Sequence, residues 1–172
     1  MAATREQLFE RLAALGIETT TKDHPPVFTV EEAQRVRGEL PGGHCKSLFL
    51  KDKKGALWLV VVMEDTRVDL KALQKTLGAG RLSFGKPELM EEVLGVTPGA
   101  VTPFAAINDV DGRVQVVLDE RIKDYDTVNY HPLFNDATTA IAPADLVRFL
   151  EATGHHPLNV SLAPPEAGDG GG

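Results

Sequence analysis

The sequence predicts an α/β protein of the α+β kind, in which helices pack on a mixed, largely antiparallel sheet. Two hairpin signals support the sheet: residues 52–55 join two apolar runs, and the Asp111-Gly112 pair separates two further runs. Amphipathic segments with recognisable caps lie between these strands in no regular alternation. This combination of hairpins and helices favours an α+β architecture over a Rossmann array.

Two helices and three strands are predicted in the first part of the chain. Thr4 begins a capping box, and leucines follow at helical spacing until Gly16, which ends the helix. A second capping box, at Thr29, opens a short helix after the Pro25-Pro26 pair. The predicted helices are residues 4–16 and 29–37, and the predicted strands are residues 17–24, 45–51 and 57–63.

Three helices and five strands are predicted in the remainder. Asp69 caps a helix that ends at Gly78, while Pro87 and Pro143 occupy the first position of two other helices. The predicted helices are residues 69–77, 87–94 and 143–154. The predicted strands are residues 81–84, 104–107, 114–118, 126–131 and 138–142, with 104–107 and 114–118 flanking the second hairpin turn.

The composition is typical of one globular domain and argues against a protein that coats nucleic acid through a broad basic face. The 172 residues are 42% hydrophobic and 25% charged, with a net charge of −7. The longest apolar run, Leu57 to Met63, is far shorter than the ~20 residues that span a bilayer. We expect one domain over residues 1–162 and a disordered Pro/Gly/acidic tail over residues 163–172.

The expected location is the cytoplasm. The N-terminal segment lacks the basic-then-apolar pattern of a signal peptide, and the single cysteine, Cys45, fits a reducing compartment. Cys45 follows His44 on a predicted strand, where neighbouring side chains point to opposite faces. A buried, inert thiol is therefore favoured over a thiol nucleophile.

The stretch from Gly95 to Phe104 is predicted to be a loop that approaches a ligand closely. It contains two glycines and two prolines, yet its side chains are small and uncharged. Gly99 has no Cβ, and Pro103 biases Thr102 toward extended geometry, so the main chain can present its polar groups in one arrangement. A rigid structural connection is the alternative interpretation of the same residues.

Lys46 and His131 are the two side chains that the pattern singles out for chemistry. Lys46 shares a strand face with Leu48 and Leu50, an unusual place for an ammonium group without a partner. His131 follows a polar, aromatic strand end and precedes a proline. The alternatives are a lysine that reaches to water and a histidine with a structural role. The familiar phosphate-binding, zinc-protease and serine-hydrolase motifs are all missing from the chain.

Five segments, in order, carry a resemblance that covers roughly residues 4–160. They are residues 24–33, 46–52, 82–84, 95–104 and 131–135, which read HPPVFTVEEA, KSLFLKD, LSF, GVTPGAVTPF and HPLFN. As a set they resemble the YbaK/ProX family of trans-editing aminoacyl-tRNA deacylases, which is related to the insertion domain of bacterial prolyl-tRNA synthetases. Within that family the chain looks closest to the free-standing ProX-type proteins that hydrolyse Ala-tRNA(Pro).

The resemblance implies an editing pocket that works without a metal ion or any other cofactor. The base that it implies is the terminal ribose hydroxyl of the substrate, while the loop backbone stabilises the oxyanion. The residues expected to be catalytic are Lys46, Gly99 and His131. Those expected to bind the substrate are Phe28, Thr29, Ala100, Val101, Thr102, Pro103 and Asn135.

The implied partner is the acceptor end of tRNA(Pro), with prolyl-tRNA synthetase or an elongation factor as a transient partner, and neither a membrane nor DNA. A local basic strip of Lys51, Lys53 and Arg81 is expected to contact the tRNA. Two alternatives stay open: a deacylase of Cys-tRNA(Pro), as in YbaK-type members, and a non-catalytic module that binds RNA or a synthetase. Lys46 together with an intact loop favours an enzyme.

Overall fold

A single mixed sheet forms the centre of the computed structural model, which describes residues 2–25, 35 and 41–161. The strands in this part of the chain are β1 (Thr19–Asp23), β2 (Gly43–Asp52), β3 (Leu57–Met63), β4 (Leu82–Phe84), β5 (Val114–Asp119), β6 (Val128–Tyr130), β7 (Ala137–Ile141) and β8 (Leu158–Val160). The helices are α1 (Arg5–Ala14), α2 (Leu70–Leu77), α3 (Pro87–Leu94) and α4 (Pro143–Ala152), with 3₁₀ helices at Pro98–Ala100, Pro103–Asn108 and Glu120–Asp124.

The strand order is β1-β7-β6-β2-β3-β5-β8, and β4 pairs with β2 beside this path. The pairs β1·β7, β2·β3, β2·β4 and β6·β7 are antiparallel. The pairs β2·β6, β3·β5 and β5·β8 are parallel. The predicted mixed sheet with packed helices is therefore confirmed.

Local sequence signals explain where the helices begin and end. The Thr4 hydroxyl accepts a hydrogen bond from the Gln7 N–H, and the Gln7 side chain accepts one from the Thr4 N–H, which completes the predicted capping box of α1. The Asp69 carboxylate caps α2 by accepting hydrogen bonds from the Lys71 and Ala72 N–H groups. The chain leaves α3 at Gly95, whose φ of 66° suits a residue without a Cβ.

Each face of the sheet buries its own apolar cluster. The larger cluster lies against α1, α3 and α4 and contains Leu8, Leu94 and Phe149. The smaller cluster lies against α2 and contains Leu50, Val62 and Leu73. Strand β2 contributes side chains to both clusters because neighbouring side chains of a strand alternate between the two faces.

The predicted strand at residues 104–107, and its hairpin with residues 114–118, are wrong. Pro103 opens a 3₁₀ helix there, and the Thr102 hydroxyl accepts a hydrogen bond of 3.2 Å from the Phe104 N–H. The Asp109 carboxylate accepts hydrogen bonds from the Arg113 and Val114 N–H groups and turns the chain directly into β5, which pairs in parallel with β3 and β8. Strand β8 was not predicted.

Several predictions lie outside the described residues. They are the helix at 29–37, the substrate-binding residues Phe28 and Thr29, and the tail at 163–172. Within the described residues, no helix is long and apolar enough to cross a membrane.

Candidate functional site

The turn between β6 and β7, residues 131–136, carries the predicted site residues His131 and Asn135. Leu133 stands in the left-handed region at φ 77° and is only 3% exposed, so its buried side chain anchors a strained backbone. The Asp136 carbonyl accepts a hydrogen bond of 2.9 Å from the His24 N–H. The Asp136 carboxylate pairs with Arg5, which also reaches Asp23 at 2.7 Å. The turn is therefore held at Leu133 and at Asp136.

Asn135 meets the main chain of the predicted loop at Gly99. A methyl group placed on Gly99 would lie 3.4 Å from the Asn135 Nδ2, so the side-chain amide is about one methyl group away from the glycine. Gly99 is exposed and is the second residue of the 3₁₀ helix Pro98–Ala100. Ala100 is the residue whose N–H donates back, to the Thr97 carbonyl at 2.9 Å. The Gly99 N–H precedes the first N–H that is bonded within this 3₁₀ helix, and N–H groups at that position have no intrahelical acceptor.

The side chains that follow Gly99 point largely into the protein. Ala100, Thr102 and Pro103 are buried, and Val101 is partly buried against the larger apolar cluster. The Thr102 hydroxyl accepts a hydrogen bond from the Phe104 N–H. Any contact of Ala100, Thr102 or Pro103 with a ligand would thus use the main chain, whereas Val101 keeps some exposed side chain.

His131 presents one ring nitrogen as a hydrogen-bond acceptor. Its Nδ1 lies 2.9 Å from the Ala137 carbonyl, which can only accept, so Nδ1 carries the proton and Nε2 holds a lone pair. Burial lowers the pKa of His131 below its ordinary value of 6.5, and the nearby His24 acts in the same direction. The ring is therefore neutral at neutral pH.

His24 belongs to the same cluster and was not predicted as a site residue. Its ring centre lies 6.4 Å from that of His131. The Pro25 carbonyl accepts from His24 Nδ1 at 2.9 Å, and the Thr138 hydroxyl donates to Nε2 at 2.8 Å. The antiparallel pairing of β1 with β7 creates this contact, so the sequence could have revealed it only if that strand pair had been assigned.

Lys46 lies on β2 opposite Val62 of β3, on the sheet face of the smaller apolar cluster. The parallel register of β2 with β6 pairs His44 with Asn129. Two residues further along each strand, Lys46 therefore comes level with His131, where the turn 131–136 begins. The predicted common face with Leu48 and Leu50 follows from this strand. Among the residues described here, the ammonium of Lys46 makes no hydrogen bond or ion pair, either with His131 or with the loop.

Cys45 lies on the other face of β2. The thiol is partly buried, donates a weak hydrogen bond to the Met63 sulfur at 3.8 Å, and has a pKa raised to about 12 by its burial. It therefore stays protonated at neutral pH, as an inert thiol would. In the described part of the chain, no group of three or more His, Cys, Asp or Glu side chains is arranged to hold a metal ion.

The predicted tRNA-binding residues Lys51, Lys53 and Arg81 are exposed and share one cleft of about 830 Å³. The cleft lies along β2 and β4, where the register pairs Lys51 with Ser83. The structure thus brings three groups together: Asn135 with Gly99, His24 with His131, and the three basic residues with one another.

Known proteins are similar to this chain over most of its length. The sequence model of the family described as the aminoacyl-tRNA editing domain matches residues 24–149. Prolyl-tRNA synthetase associated domain-containing protein 1 of Bos taurus is 43% identical over 162 residues, covering 91% of this chain and 94% of that protein. Prolyl-tRNA editing protein ProX of Acetoanaerobium sticklandii is 36% identical over 152 residues, covering 88% of this chain and 93% of that protein.

The fold is also found among solved structures. A crystal structure presented as a candidate trans-editing enzyme for prolyl tRNA synthetase superposes with a TM-score of 0.73 at 23% identity. The superposition covers 96% of this chain and 99% of that chain. The family match contains every residue predicted for the site, from Phe28 to Asn135. The resemblance seen in the sequence is therefore confirmed, and the chain belongs to the aminoacyl-tRNA editing domain family as a trans-editing aminoacyl-tRNA deacylase, a hydrolase.

Proposed function

We propose that the protein hydrolyses the ester of mischarged Ala-tRNA(Pro) and releases alanine and free tRNA(Pro), without a metal ion. The names of its relatives from Bos taurus and Acetoanaerobium sticklandii, both of which refer to prolyl-tRNA, support this substrate. The observation that carries the proposal is the close approach of the Asn135 amide to the exposed residue Gly99, which brings the turn that begins at His131 next to the loop.

The reaction needs a positioned nucleophilic water and donors for the developing oxyanion. The Gly99 N–H is available as one donor, and the Asn135 amide, held against Gly99, is available as a second. The lone pair of His131 Nε2 accepts a hydrogen bond from the attacking water or from the terminal ribose hydroxyl. The ribose hydroxyl takes the proton of the attacking water and passes its own proton to the leaving ester oxygen, so the protein supplies position and charge stabilisation rather than a nucleophile.

Lys46 contributes a point charge to the same reaction. Its ammonium has no partner among the described residues and stands on the strand face that carries Leu48 and Leu50. In the proposed complex it binds the phosphate or sugar of the terminal nucleotide. Lys51, Lys53 and Arg81 bind phosphates further from the ester.

Selection of alanine follows from size. Phe28, Thr29 and the exposed part of Val101 are proposed to limit the cavity, while the main chain of Ala100, Thr102 and Pro103 lines it. Such a sieve accepts side chains smaller than that of proline. A synthetase that binds proline cannot reject these smaller amino acids by size alone. Cys-tRNA(Pro) is the alternative substrate, because a thiol adds little volume to alanine.

The remaining proposals concern the molecule as a whole. Residues 1–162 act as one editing domain in the cytoplasm, with residues 163–172 as a disordered tail. Prolyl-tRNA synthetase or an elongation factor meets the protein only transiently, since the tRNA passes between them.

Deacylation of Ala-, Cys-, Ser- and Pro-tRNA(Pro), measured side by side, tests the function. We expect rapid loss of the alanyl ester, slower loss of the larger esters and a stable prolyl ester, all unaffected by a chelator. Asn135→Ala should lower kcat/KM by about 100- to 1000-fold, the effect of removing one oxyanion donor. Gly99→Ala, which places a methyl group 3.4 Å from the Asn135 Nδ2, should lower it less. Thr97→Ala is the matched control, because Thr97 is exposed in the same loop and its side chain caps nothing. An alanyl ester cleaved no faster than the prolyl ester would refute the proposal.

A further inference from the structure

The cleft along β2 and β4 contains a motif that the proposed reaction does not use. The segment Leu82-Ser83-Phe84 forms β4, and Phe84 is 63% exposed, whereas Leu82 is buried in the smaller cluster. The cleft has a volume of about 830 Å³. Its polar and aromatic lining includes Lys51, Lys53, Arg81, Ser83, Phe84 and Lys86.

The cleft is a basic site on an acidic protein. Four cations line it, and within residues 2–25 and 41–161 none of these side chains makes a hydrogen bond or ion pair. Two of the three carboxylates that line the cleft are already engaged. Asp52 accepts hydrogen bonds from the N–H groups of Lys54, Ala56 and Gly80, and Glu92 pairs with Arg113 at 2.9 Å. Against a net charge of −7, this local excess of positive charge attracts an anionic chain.

Backbone pairing fixes the position of the main chain at Phe84. Phe84 pairs with Leu50 in the antiparallel register of β4 with β2, and the next N–H, that of Gly85, donates to the Phe49 carbonyl at 2.9 Å. A Cβ on Gly85 would come within 2.4 Å of the Phe49 ring, so the chain passes too close for any other residue. An exposed aromatic ring on a fixed backbone is a preorganised surface for stacking.

Free cations beside an exposed aromatic ring are the combination that binds single-stranded nucleic acid. The cations follow the phosphates, and the ring stacks on a base whatever its identity. Helix α3 lines the cleft with Lys86 and Glu88 and ends at Gly95, from which the loop to Gly99 begins. From Glu88 to Gly95 the helix advances only about 10 Å. Helix α3 therefore runs from the cleft to Gly95, where the loop of the candidate site begins.

We propose that the cleft binds the unpaired 3′ end of the tRNA, with Phe84 stacked on one of its bases. The inference rests on the proposed function for the identity of the RNA, and it adds a recognition step that precedes the ester reaction. An unpaired end would be held in the cleft while its terminal ribose reaches the loop at Gly99. A blunt duplex exposes only the outer face of its terminal pair, whereas an unpaired end presents separate bases, so Phe84 should favour the unpaired end.

Binding of two RNA hairpins tests the proposal. One hairpin carries the unpaired 3′ end of the acceptor stem, the other is blunt, and neither is aminoacylated. The wild-type protein should bind the first more tightly than the second. Phe84→Leu, which keeps apolar bulk but removes the ring, should weaken binding of the first by about 5- to 100-fold and leave the second unchanged. Phe84→Trp should restore the preference for the unpaired end. Since the side chain is exposed, these exchanges leave the fold intact.

Leu158→Ala is the matched control, because Leu158 is 43% exposed on β8, at the far edge of the sheet. It should change neither affinity. Equal binding of both hairpins by the wild type, or an affinity of Phe84→Leu equal to that of the wild type, would overturn the stacking role, even if Ala-tRNA(Pro) is cleaved normally. A wild type that prefers the unpaired end but cleaves no aminoacyl ester would instead overturn the proposed function and leave the cleft assignment standing.

Discussion

Lys46 places an ammonium group on the strand face of Leu48 and Leu50, and its proposed role predicts that replacing it lowers the catalytic efficiency. Lys46→Ala should lower kcat/KM by about 10- to 100-fold, the usual range for a lost hydrogen bond to a charged group, without lowering the melting temperature. Lys46→Arg should also be poor, because a planar fork replaces a compact charge. Lys75→Ala is the control, since Lys75 is exposed on α2. Unchanged turnover in Lys46→Ala would remove the residue from the site.

His131 predicts a pH dependence with a definite sign. Burial lowers its pKa below 6.5, so the ring gains a proton only when the pH falls through this lower value. Protonation removes the lone pair of Nε2, so kcat/KM should be constant at neutral pH and decline on the acid side. His131→Asn should have lower activity and lose this acid limb. His156→Asn is the control, because the His156 side chain is 90% exposed. If the decline of kcat/KM at low pH persisted in His131→Asn, the decline would be due to protonation of another group.

The same shift has a consequence for stability. The unfolded chain binds a proton at His131 at higher pH than the folded chain does, so the free energy of unfolding decreases as the pH falls from 6.5 toward the folded pKa. Below the folded pKa the full effect is reached. Protonation of His131 should therefore lower both kcat/KM and the free energy of unfolding. The two effects can be measured separately, because only the first measurement requires substrate.

At the scale of elements, the loop after α3 predicts how the enzyme selects its substrate. Val101 is the residue after Gly99 that keeps a partly exposed side chain, so Val101→Ala should enlarge the cavity and shift preference toward larger aminoacyl groups. One methylene is worth ~1–3 kcal/mol in such a pocket, so the discrimination should be graded. Val147→Ala, which trims a valine packed on the same apolar cluster from α4, controls for stability. An equal loss on all esters would mean that the loop acts through its backbone alone.

The elements that sequence reasoning recovered are those whose signals are local. The capping box at Thr4, the helix cap at Asp69 and the hairpin at Asp52 depend on residues a few positions apart, and the structure contains all three. The 3₁₀ helix at Pro103–Asn108 was missed because its apolar residues are buried on all sides and show no period that separates it from a short strand. Strand β8 was missed because Leu158–Val160 has only three residues and is largely exposed.

The candidate site was recovered unevenly for a similar reason. Gly99, His131 and Asn135 stand in segments with marked composition, and the contact of Asn135 with Gly99 joins two of them. His24 and Arg5 act across β1 and the turn 131–136, through pairings that no local pattern announces. The direction of the Lys46 side chain followed from strand alternation, but its lack of a partner among the described residues required the structure.

At the scale of the whole molecule, the charge distribution predicts weak and local tRNA binding. With about three phosphate contacts, each contributing roughly −0.7, log K against log salt should have a shallow slope of about −2. The double reversal Lys51→Glu with Arg81→Glu should abolish most of this slope. Lys71→Glu, an exposed charge reversal in the first turn of α2 that suits the helix dipole, is the control. A steep slope in the wild type would indicate a much broader RNA contact.

The tail at residues 163–172 should be dispensable. It is rich in Pro, Gly and acidic residues and has too few apolar side chains to dock on the domain. Deleting these residues should change neither kcat/KM nor the melting temperature, and both are measured on the same preparation. A clear loss in either would identify the tail as a bound segment and would enlarge the domain beyond residue 162.

The left-handed backbone at Leu133 bears on how this enzyme can be engineered. A non-glycine residue at φ 77° costs roughly 1 kcal/mol, so a protein designer in search of heat tolerance would replace it early, with glycine or asparagine. That exchange would also remove the buried side chain that fixes the turn carrying His131 and Asn135. Relief of the backbone strain would then loosen the turn that positions His131 and Asn135. Stabilising substitutions are therefore better sought on the outer surface of α2.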